Sequence, residues 1–271
     1  MPAPPVFRYA AFSDDPNGGN PAGVVLDASG MSDEEMQAVA ADVGYSETAF
    51  VAPRSGNDYD VRYFSPLAEV PFCGHATIAA AAALPASGEF VFHTRSGVVA
   101  VEATDRTATL TSVEPRVAPI DPTDLEELLA ALGWPASDLD PDLPPRVAYA
   151  GAHHPVVAAA SRERLRDLDY DFDRLTRLMT ACDWTTIQLV WREGEQLFHS
   201  RNPFPVGGVV EDPATGAAAA AFGAYLRELQ LVEPPARVTI LQGEDLGRPG
   251  RLTVDIPASG GVAVSGSAVR I

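Results

Sequence analysis

The chain has 271 residues, of which 46% are hydrophobic, so it is long enough to form one large domain or two moderate domains around a buried core. Its net charge of −18 disfavours nucleic acid as a partner, because an acidic surface repels phosphate backbones. All 19 basic residues are arginine, which excludes pyridoxal phosphate enzymes, Schiff-base aldolases and P-loop nucleotide sites, since each requires a lysine amine.

In the first part of the chain, short strands and turns alternate with two helices. Pro5–Phe12, Ser46–Pro53 and Tyr59–Pro66 have strand-like patterns, and the region from Phe90 to Val113 predicts two or three hairpin-linked strands. Ser32 and Glu35 have the spacing of a capping box, so they predict a helix that Gly44 ends. The alanine-rich stretch from Phe72 to Leu84 predicts a second helix, preceded by a polar cluster.

Three prolines between Pro115 and Pro122 are typical of a crossover between domains. Asp121 then caps a predicted helix, and the segment 162–182 predicts one amphipathic helix. The segment 185–202 predicts a hairpin that turns at Glu193-Gly194. A second alanine-rich helix follows Thr215, and strands end the chain.

The strands outnumber the helices and mostly follow one another directly, which favours antiparallel sheet over a doubly wound parallel one. Both halves run through strand, helix and strands to a polar cluster that opens an alanine helix. Aligning Cys73 with Pro213 gives an offset of 213 − 73 = 140 residues between the halves. We therefore predict two similar α+β domains, one of residues 1–117 with 258–271 and one of residues 118–257.

Several features predict a cytoplasmic protein that has no metal or cofactor and no contact with a membrane. There is no apolar run of about 18 residues or more, and the first residues lack the pattern of a signal peptide. Two cysteines, Cys73 and Cys182, cannot form a disulfide framework, which fits a reducing compartment. The histidines lack metal-binding spacing, and we interpret His153-His154 as a loop pair before Pro155.

The polar clusters lie where the two alanine-rich helices begin. A helix N-terminus carries unpaired N–H groups and a partial positive charge, and glycine there lets an anion approach the backbone. Two such ends facing each other across a cleft would hold a small carboxylate. The alanine runs are then the scaffold, and the clusters are the parts that bind and react.

Four carboxylates lie near these clusters in the sequence: Glu47, Glu69, Glu211 and Asp212. Glu47 lies between aromatic and small residues, and partial burial there would suit it to proton transfer. Asp212 can cap the second helix and also take part in catalysis. His75, in the first turn of its helix, is expected to be neutral and able to accept or donate a proton.

Cys73 allows a different interpretation, since a thiol at a helix N-terminus ionises more readily than an ordinary thiol. Two facing thiols could perform a two-base epimerisation, but the aligned position in the second half is Pro213 and Cys182 lies outside that cluster. A nucleophilic pair of Cys73 and His75 is also disfavoured, because side chains two residues apart at a helix start rarely hydrogen-bond each other.

Several segments together resemble the phenazine biosynthesis-like (PhzF-like) isomerase family, which is similar in fold to diaminopimelate epimerase. The matching segments, which occur in the family's order along nearly the whole chain, are residues 19–23, 45–50, 62–66, 71–77, 211–216, 242–244 and 247–249. The resemblance implies two domains, each with a curved antiparallel sheet wrapped around a central alanine-rich helix, and a site in the cleft between them. It also implies a cofactor-free reaction and a homodimer.

The resemblance implies a role for each candidate residue. Glu47 would move a proton between carbons of a small carboxylate, with His75 and Asp212 as the further catalytic residues that hold or relay protons. The residues that the resemblance assigns to substrate binding are Asn20, Ser46, Cys73, Gly74, Thr215 and Gly216.

Two alternatives to the Glu47-dependent isomerase stay open from the sequence. One is an epimerase or racemase that uses Cys73, and the other is a carboxylate-binding protein without catalysis. The sequence names neither the substrate nor the direction of the reaction.

Overall fold

The computed structural model describes residues 4–105 and 107–271. The described chain divides into two compact units, one made of the residues up to Thr111 with Val264–Ile271 and the other of Ser112–Ala263. The sequence predicted domain boundaries after residue 117 and before residue 258. These two domains remain a prediction. No helix within the described residues combines the length and apolar character that crossing a membrane requires.

The described residues form six α-helices and a larger number of strands. The helices are α1 (Asp33–Val43), α2 (Gly74–Ala83), α3 (Pro122–Leu132), α4 (Arg162–Arg166), α5 (Phe172–Cys182) and α6 (Gly216–Glu228). The strands of the first unit are β1 (Phe7–Ala11), β2 (Asn20–Val25), β3 (Glu47–Pro53), β4 (Asp58–Phe64), β5 (Glu69–Val70), β6 (Gly88–Thr94), β7 (Gly97–Ala103) and β8 (Thr107–Thr111). The later strands are β9 (Arg116–Pro119), β10 (Arg146–Tyr149), β11 (His153–Ala158), β12 (Gln188–Arg192), β13 (Leu197–Pro203), β14 (Glu211–Asp212), β15 (Ala236–Gln242), β16 (Gly250–Ile256) and β17 (Ala263–Arg270).

In the first unit, the strands pair in a closed ring. The order of pairing is β1, β2, β3, β4, β6, β7, β8 and β17, and β17 pairs with β1 again. The central helix α2 packs against β1, β2, β3, β7 and β8. On the outside of the sheet, α1 covers Phe50 and Phe64 through Met36 and Ala40.

The second unit repeats this pairing order without closing the ring. Its strands pair in the order β9, β10, β11, β12, β13, β15 and β16, and α6 packs against β9, β10, β11, β12 and β16. A separate core of buried leucine, tryptophan and methionine side chains lies around α3 and α5. The two units therefore share an order of strands and helices.

The sheets are mixed, whereas the sequence favoured antiparallel pairing. In the first unit β2–β3 and β4–β6 are parallel, and in the second unit β11–β12 and β13–β15 are parallel. Each parallel pair is joined through helical segments, and a crossover of this kind brings the chain back in its original direction. The remaining pairs of the two sheets are antiparallel.

Local sequence signals account for several helix ends. Ser32 and Glu35 form the predicted capping box, and Gly44 ends α1 with a left-handed φ of 71°. Asp121 accepts from the Thr123 N–H at the start of α3, as its position indicated. The predicted helix over 162–182 is instead two helices, because Asp171 caps a new start at α5. The proline-rich segment predicted as a crossover contains strand β9, which pairs with β10.

The central helices are made of alanine because the sheets approach them closely. Ala76, Ala79 and Ala80 of α2 are fully buried. In α6 a Cβ added at Gly223 would lie 2.8 Å from Val254 Cγ1, so even one further methyl group would collide with the sheet. Helix propensity alone would permit leucine in these positions, whereas the available space does not.

The two adjacent histidines form the start of strand β11, and not the loop that the sequence suggested. His154 is fully buried, and its Nδ1 lies 2.9 Å from Thr186 Oγ1. The Thr186 hydroxyl donates to Asn202 Oδ1, so the His154 ring donates through Nδ1 and is neutral. Burial lowers the pKa of His154 to about 4.

Replacing Ala79 with leucine should lower the free energy of unfolding by about 1–3 kcal/mol, because the larger side chain has no space inside the ring. Ala83→Leu, at the half-buried end of the same helix, is the matched control and should change stability by less than about 0.5 kcal/mol. Denaturant unfolding measures both variants. Equal effects of the two substitutions would contradict the tight fit.

His154 should make the protein less stable in weak acid. The unfolded chain binds a proton near pH 6.5 and the folded chain only near pH 4, so this contribution is fully present above pH 6.5 and is lost as the pH falls towards 4. Between pH 7 and pH 5 it should remove about 2 kcal/mol. Urea unfolding of the wild type and His154→Asn at both pH values measures this, and identical pH dependence in the two proteins would contradict it.

Candidate active site

In the first unit, five of the predicted residues come together at the start of α2. We call this group the first cluster, and its members are Asn20, Ser46, Glu47, Cys73 and His75. Asn20 and Glu47 are the first residues of β2 and β3, and Cys73 is the N-cap of α2. The parallel pairing of β2 with β3 brings the beginnings of both strands to the same end of the sheet.

His75 is the centre of the first cluster. Its Nδ1 lies 3.0 Å from Asn20 Nδ2, and its Nε2 lies 3.4 Å from Glu47 Oε2. Because an amide nitrogen can only donate, His75 Nδ1 accepts and the ring proton is on Nε2. The Nε2–H group therefore faces the Glu47 carboxylate and, also at 3.4 Å, the Ser46 hydroxyl.

The carboxylate of Glu47 is largely removed from water, with 9% of the residue exposed. His75 and Cys73 are equally well buried. A carboxylate in such surroundings is poorly hydrated, so a nearby N–H group and a nearby acidic C–H group interact with it strongly. The arrangement is chemically suited to taking and returning a proton.

Cys73 also contacts the imidazole, which corrects the expectation from the sequence. Its Sγ lies 3.3 Å from His75 Nδ1 although the residues are only two positions apart. Cys73 has extended backbone angles as the N-cap, so its side chain can turn back over the first helical turn. The backbone carbonyl of Cys73 accepts from the hydroxyl of Thr77, which fixes this start of the helix.

In the second unit, Asp212 and Thr215 are joined by a residue that the sequence analysis did not assign. We call Asp212, Thr215, Gly216 and Gln242 the second cluster. The Gln242 side chain accepts from the Thr215 N–H at 3.1 Å and donates to the Asp212 carbonyl at 2.8 Å. The Thr215 hydroxyl donates to Asp212 Oδ2 at 2.6 Å. The Thr215 amide is thus already engaged, in contrast to its predicted role in holding a substrate carboxylate.

A glycine is necessary beside Gln242. Gly243 has a left-handed φ of 82°, and a Cβ there would lie 2.3 Å from the Arg248 carbonyl oxygen. The Gln-Gly pair was one of the segments that resembled the family, but nothing in its composition indicated that Gln242 would reach the helix start. The sequence signal that could have identified Gln242 is its position at the end of a buried strand, next to a glycine. A glycine there indicates that another part of the backbone approaches closely.

The other candidate carboxylates are held by arginine. Arg62 forms two hydrogen bonds with Glu69, at 2.7 and 2.8 Å, and lowers the pKa of that carboxyl. Arg201 lies 2.6 Å from Glu211, in an ion pair that is almost completely buried. Carboxylates in such pairs are poor proton carriers, which leaves Glu47 and Asp212 as the candidates.

Comparison of the helix starts corrects the alignment of the two halves. Helix α2 begins at Gly74 and α6 at Gly216, so Cys73 corresponds to Thr215, and the offset is 215 − 73 = 142 residues. The second thiol needed for a two-thiol epimerase is still absent from this position. Cys182 is the last residue of α5 and packs against the separate core of the second unit.

Strand register reveals a further correspondence between the units. In β2 the residue after Pro21 pairs with Glu47, and in β11 the residue after Pro155 pairs with Gln188. Gln188 and Glu47 are each the first residue of their strand. Gln188 is therefore the counterpart of Glu47, and His154 is the counterpart of Asn20.

Three donor types meet in the first cluster. Ligand atoms of Glu47, Cys73 and His75 all lie within 4.8 Å of one another. Among the described residues, this is the group of three metal-ligating side chains that lie close enough together to hold an ion. The sequence predicted no metal, because none of these residues has the spacing of a recurrent metal-binding motif.

Comparison with known proteins agrees with the architecture. The profile of the family described as "Phenazine biosynthesis-like protein" matches residues 9–271. A curated relative is the trans-2,3-dihydro-3-hydroxyanthranilate isomerase of Pseudomonas aeruginosa, which is 32% identical over 97% of this chain and 96% of its own length.

Solved structures show the same fold. The crystal structure of the Bacillus anthracis phenazine biosynthesis protein of the PhzF family covers 98% of this chain and 96% of its own, with a TM-score of 0.87 and 27% identity. A hydroxyproline epimerase from Agrobacterium vitis shares the fold at 12% identity, with a TM-score of 0.65 over 98% of this chain and 88% of its own. The chain therefore belongs to the phenazine biosynthesis-like protein family and is an isomerase.

Proposed function

We propose that the protein is a cofactor-independent isomerase in which Glu47 takes a proton from one carbon of a small carboxylate and returns it to another. The observation that carries this proposal is the contact between the buried Glu47 carboxylate and the His75 Nε2–H group, 3.4 Å from Oε2. The relationship to an enzyme named trans-2,3-dihydro-3-hydroxyanthranilate isomerase supports a reaction of this class.

In the proposed reaction, the Glu47 oxygen removes a proton from a carbon that the substrate's own groups make acidic. The electron pair of that C–H bond moves into the substrate. The protonated Glu47, whose carboxyl proton exchanges with water, then gives a proton to a second carbon. No electrons leave the substrate, so the reaction needs no oxidant or reductant. A general acid and base of this kind contributes about 10²- to 10⁴-fold to the rate.

His75 has two proposed tasks in this reaction. Its Nε2–H group faces the Glu47 carboxylate before proton transfer and is proposed to turn to a developing negative charge on the substrate afterwards. Asn20 holds the ring at Nδ1, so it maintains the tautomer that leaves the proton on Nε2. Asn20 is therefore proposed to position His75, in addition to the substrate-binding role that the family resemblance implied.

The substrate carboxylate is proposed to bind to N–H groups at the helix starts. Gly74 and Gly216 are the first residues of α2 and α6, where the backbone N–H groups have no intrahelical acceptor. Thr215 is proposed to support the site by holding Asp212 through its hydroxyl group. Its backbone N–H group already donates to Gln242. In the second cluster, Asp212 is proposed to hold or relay a proton.

One observation favours a second candidate, an epimerase that uses Cys73. The Cys73 thiol lies 3.3 Å from His75 Nδ1, so the imidazole could assist its ionisation. The absence of a thiol from the corresponding position Thr215 argues against two-thiol chemistry. We therefore prefer Glu47 as the residue that carries the proton.

Glu47→Gln should lower the incorporation of solvent deuterium into the substrate by about 10²- to 10⁴-fold, because an amide does not exchange protons with carbon. Cys73→Ala should retain incorporation within about tenfold. Both enzymes are incubated in heavy water with trans-2,3-dihydro-3-hydroxyanthranilate and, in parallel, with a metabolite extract. Mass spectrometry then identifies any small acid that gains deuterium.

Loss of incorporation in Cys73→Ala alone would replace the proposal with the epimerase. A carboxylate that protects the wild type against heat but gains no deuterium at any carbon would indicate a binding protein. Circular dichroism of both variants checks that the fold is retained, so that a loss of exchange can be assigned to the chemistry.

Gln242→Ala should reduce the stability of the protein by about 1–3 kcal/mol, because the Thr215 N–H and the Asp212 carbonyl lose a buried partner. The same change should lower deuterium incorporation by roughly tenfold to a hundredfold, since Asp212 and Thr215 would no longer be fixed. Gln196→Ala, at an exposed site, is the control and should be neutral in both measurements. Normal exchange in a destabilised Gln242→Ala protein would contradict the positioning role.

A further inference from the structure

The first cluster contains nitrogen, oxygen and sulfur donors in one small buried space. Glu47, Cys73 and His75 are 9%, 8% and 5% exposed. His75 Nε2 lies 3.4 Å from Glu47 Oε2 and 3.9 Å from Cys73 Sγ. Among the residues that the structure describes, no other set of three or more side chains of metal-ligating type is grouped as closely.

These separations are close to those in a tetrahedral zinc site. With bonds of about 2.0–2.3 Å, a tetrahedral Zn²⁺ keeps a nitrogen and an oxygen ligand about 3.4 Å apart and a nitrogen and a sulfur ligand about 3.6 Å apart. The observed distances of 3.4 and 3.9 Å differ from these values by only a few tenths of an ångström. Cys73 Sγ is nearer to Nδ1, at 3.3 Å, so the thiol side chain has to rotate towards Nε2 to bind the metal, and water supplies the fourth ligand.

Charge also favours a divalent cation here. Glu47 as a carboxylate and Cys73 as a thiolate carry two negative charges, which one Zn²⁺ neutralises while neutral His75 adds none. A neutral assembly is the favourable state for a buried ionic group, whereas a buried anion pair alone is not. The thiol proton of Cys73 is released to the solvent when the sulfur binds the metal.

Asn20 can support the metal-bound form of His75. A metal on Nε2 requires the ring proton to be on Nδ1, which then needs an acceptor. Asn20 lies at Nδ1, 3.0 Å away, and rotation of its amide by half a turn presents Oδ1 in place of Nδ2. A hydrogen bond to the second imidazole nitrogen is the usual support of a histidine that binds zinc.

We propose that Glu47, Cys73 and His75 bind one Zn²⁺ ion and that this binding reversibly inhibits the enzyme. The metal occupies the carboxylate oxygen that takes the substrate proton and the imidazole nitrogen beside it. The inhibition rests on the proposed function, whereas the binding does not. Zinc is the preferred ion because the site combines thiolate, imidazole and carboxylate donors.

Cobalt tests the binding directly, because tetrahedral Co²⁺ with a thiolate ligand has intense visible bands and a sulfur-to-metal charge-transfer band in the near ultraviolet. The metal-free wild type should bind one Co²⁺ with both features, and Zn²⁺ should displace it. Cys73→Ser should abolish the charge-transfer band and weaken Zn²⁺ binding at least about tenfold in calorimetry. Cys182→Ser, which removes the other thiol, should leave the spectrum and the affinity unchanged.

A gain of affinity provides a test that misfolding cannot imitate. Asn20→Asp places a carboxylate at His75 Nδ1 and should tighten Zn²⁺ binding by about tenfold, while Asn20→Leu should weaken it by a similar factor. Weak, octahedral-type Co²⁺ spectra in the wild type would overturn the proposal. Equal Zn²⁺ affinities in Cys73→Ser and Cys182→Ser would overturn it as well.

Inhibition is measured as the loss of deuterium exchange in the presence of buffered Zn²⁺. A chelator should restore the exchange. If the wild type binds Co²⁺ as expected but Glu47→Gln exchanges deuterium normally, the proposed function fails and the metal site stands. If Glu47→Gln is inactive and the wild type binds no Co²⁺, the metal site fails and the proposed function stands. Tight Zn²⁺ binding without any loss of exchange would contradict the inhibition.

Discussion

The close approach of a thin helix to the strands around it is the constraint on which the rest of the molecule depends. Alanine side chains let the strands of the first unit close around α2, and Gly223 permits a similar contact in the second unit. A helix held this tightly cannot slide or turn without collisions along its length. Its first residues are therefore fixed relative to the strand beginnings that carry Asn20 and Glu47. The precision of the first cluster follows from the packing of residues that take no part in chemistry.

Much of this arrangement could be predicted from residue types. The alanine runs, the capping box at Ser32 and the polar residues at both helix starts were visible in the sequence, and Glu47 and His75 do lie together. The pairing of strands could not be predicted, because an alternating pattern identifies the buried face of a strand but not its neighbour. For the same reason, the connection of Gln242 to Thr215 depends on a strand partner that lies far away in the sequence.

The contact between Cys73 and His75 illustrates a different limit. Spacing rules for helices assume helical backbone at both residues, and Cys73 is extended because it is the N-cap. The expectation that side chains two residues apart at a helix start rarely hydrogen-bond each other is therefore wrong for this pair. The predicted alignment of Cys73 with Pro213 was wrong because it matched the polar clusters. The polar clusters do not precede the two helices by the same number of residues, and the structure aligns Cys73 with Thr215.

The two units share an order of strands but differ in the residues at corresponding positions. The first strand residue is Glu47 in one and Gln188 in the other, and the helix N-cap is Cys73 in one and Thr215 in the other. The first unit has a carboxyl and a thiol at these two positions, and the second unit has an amide and a hydroxyl. This difference suits a reaction in which a single residue carries the proton, and it makes a symmetric exchange between two equivalent bases unnecessary.

Strand β17 has a consequence for the way in which the chain reaches its native state. It closes the first unit between β1 and β8, although it follows the whole of the second unit in the sequence. During synthesis, β1 to β8 leave the ribosome long before β17 has been translated. Until then, β1 and β8 each lack the strand with which they pair in the folded protein. The second unit, whose residues are continuous, can fold in this interval. The first unit can therefore be completed only after the whole of the second unit has been translated.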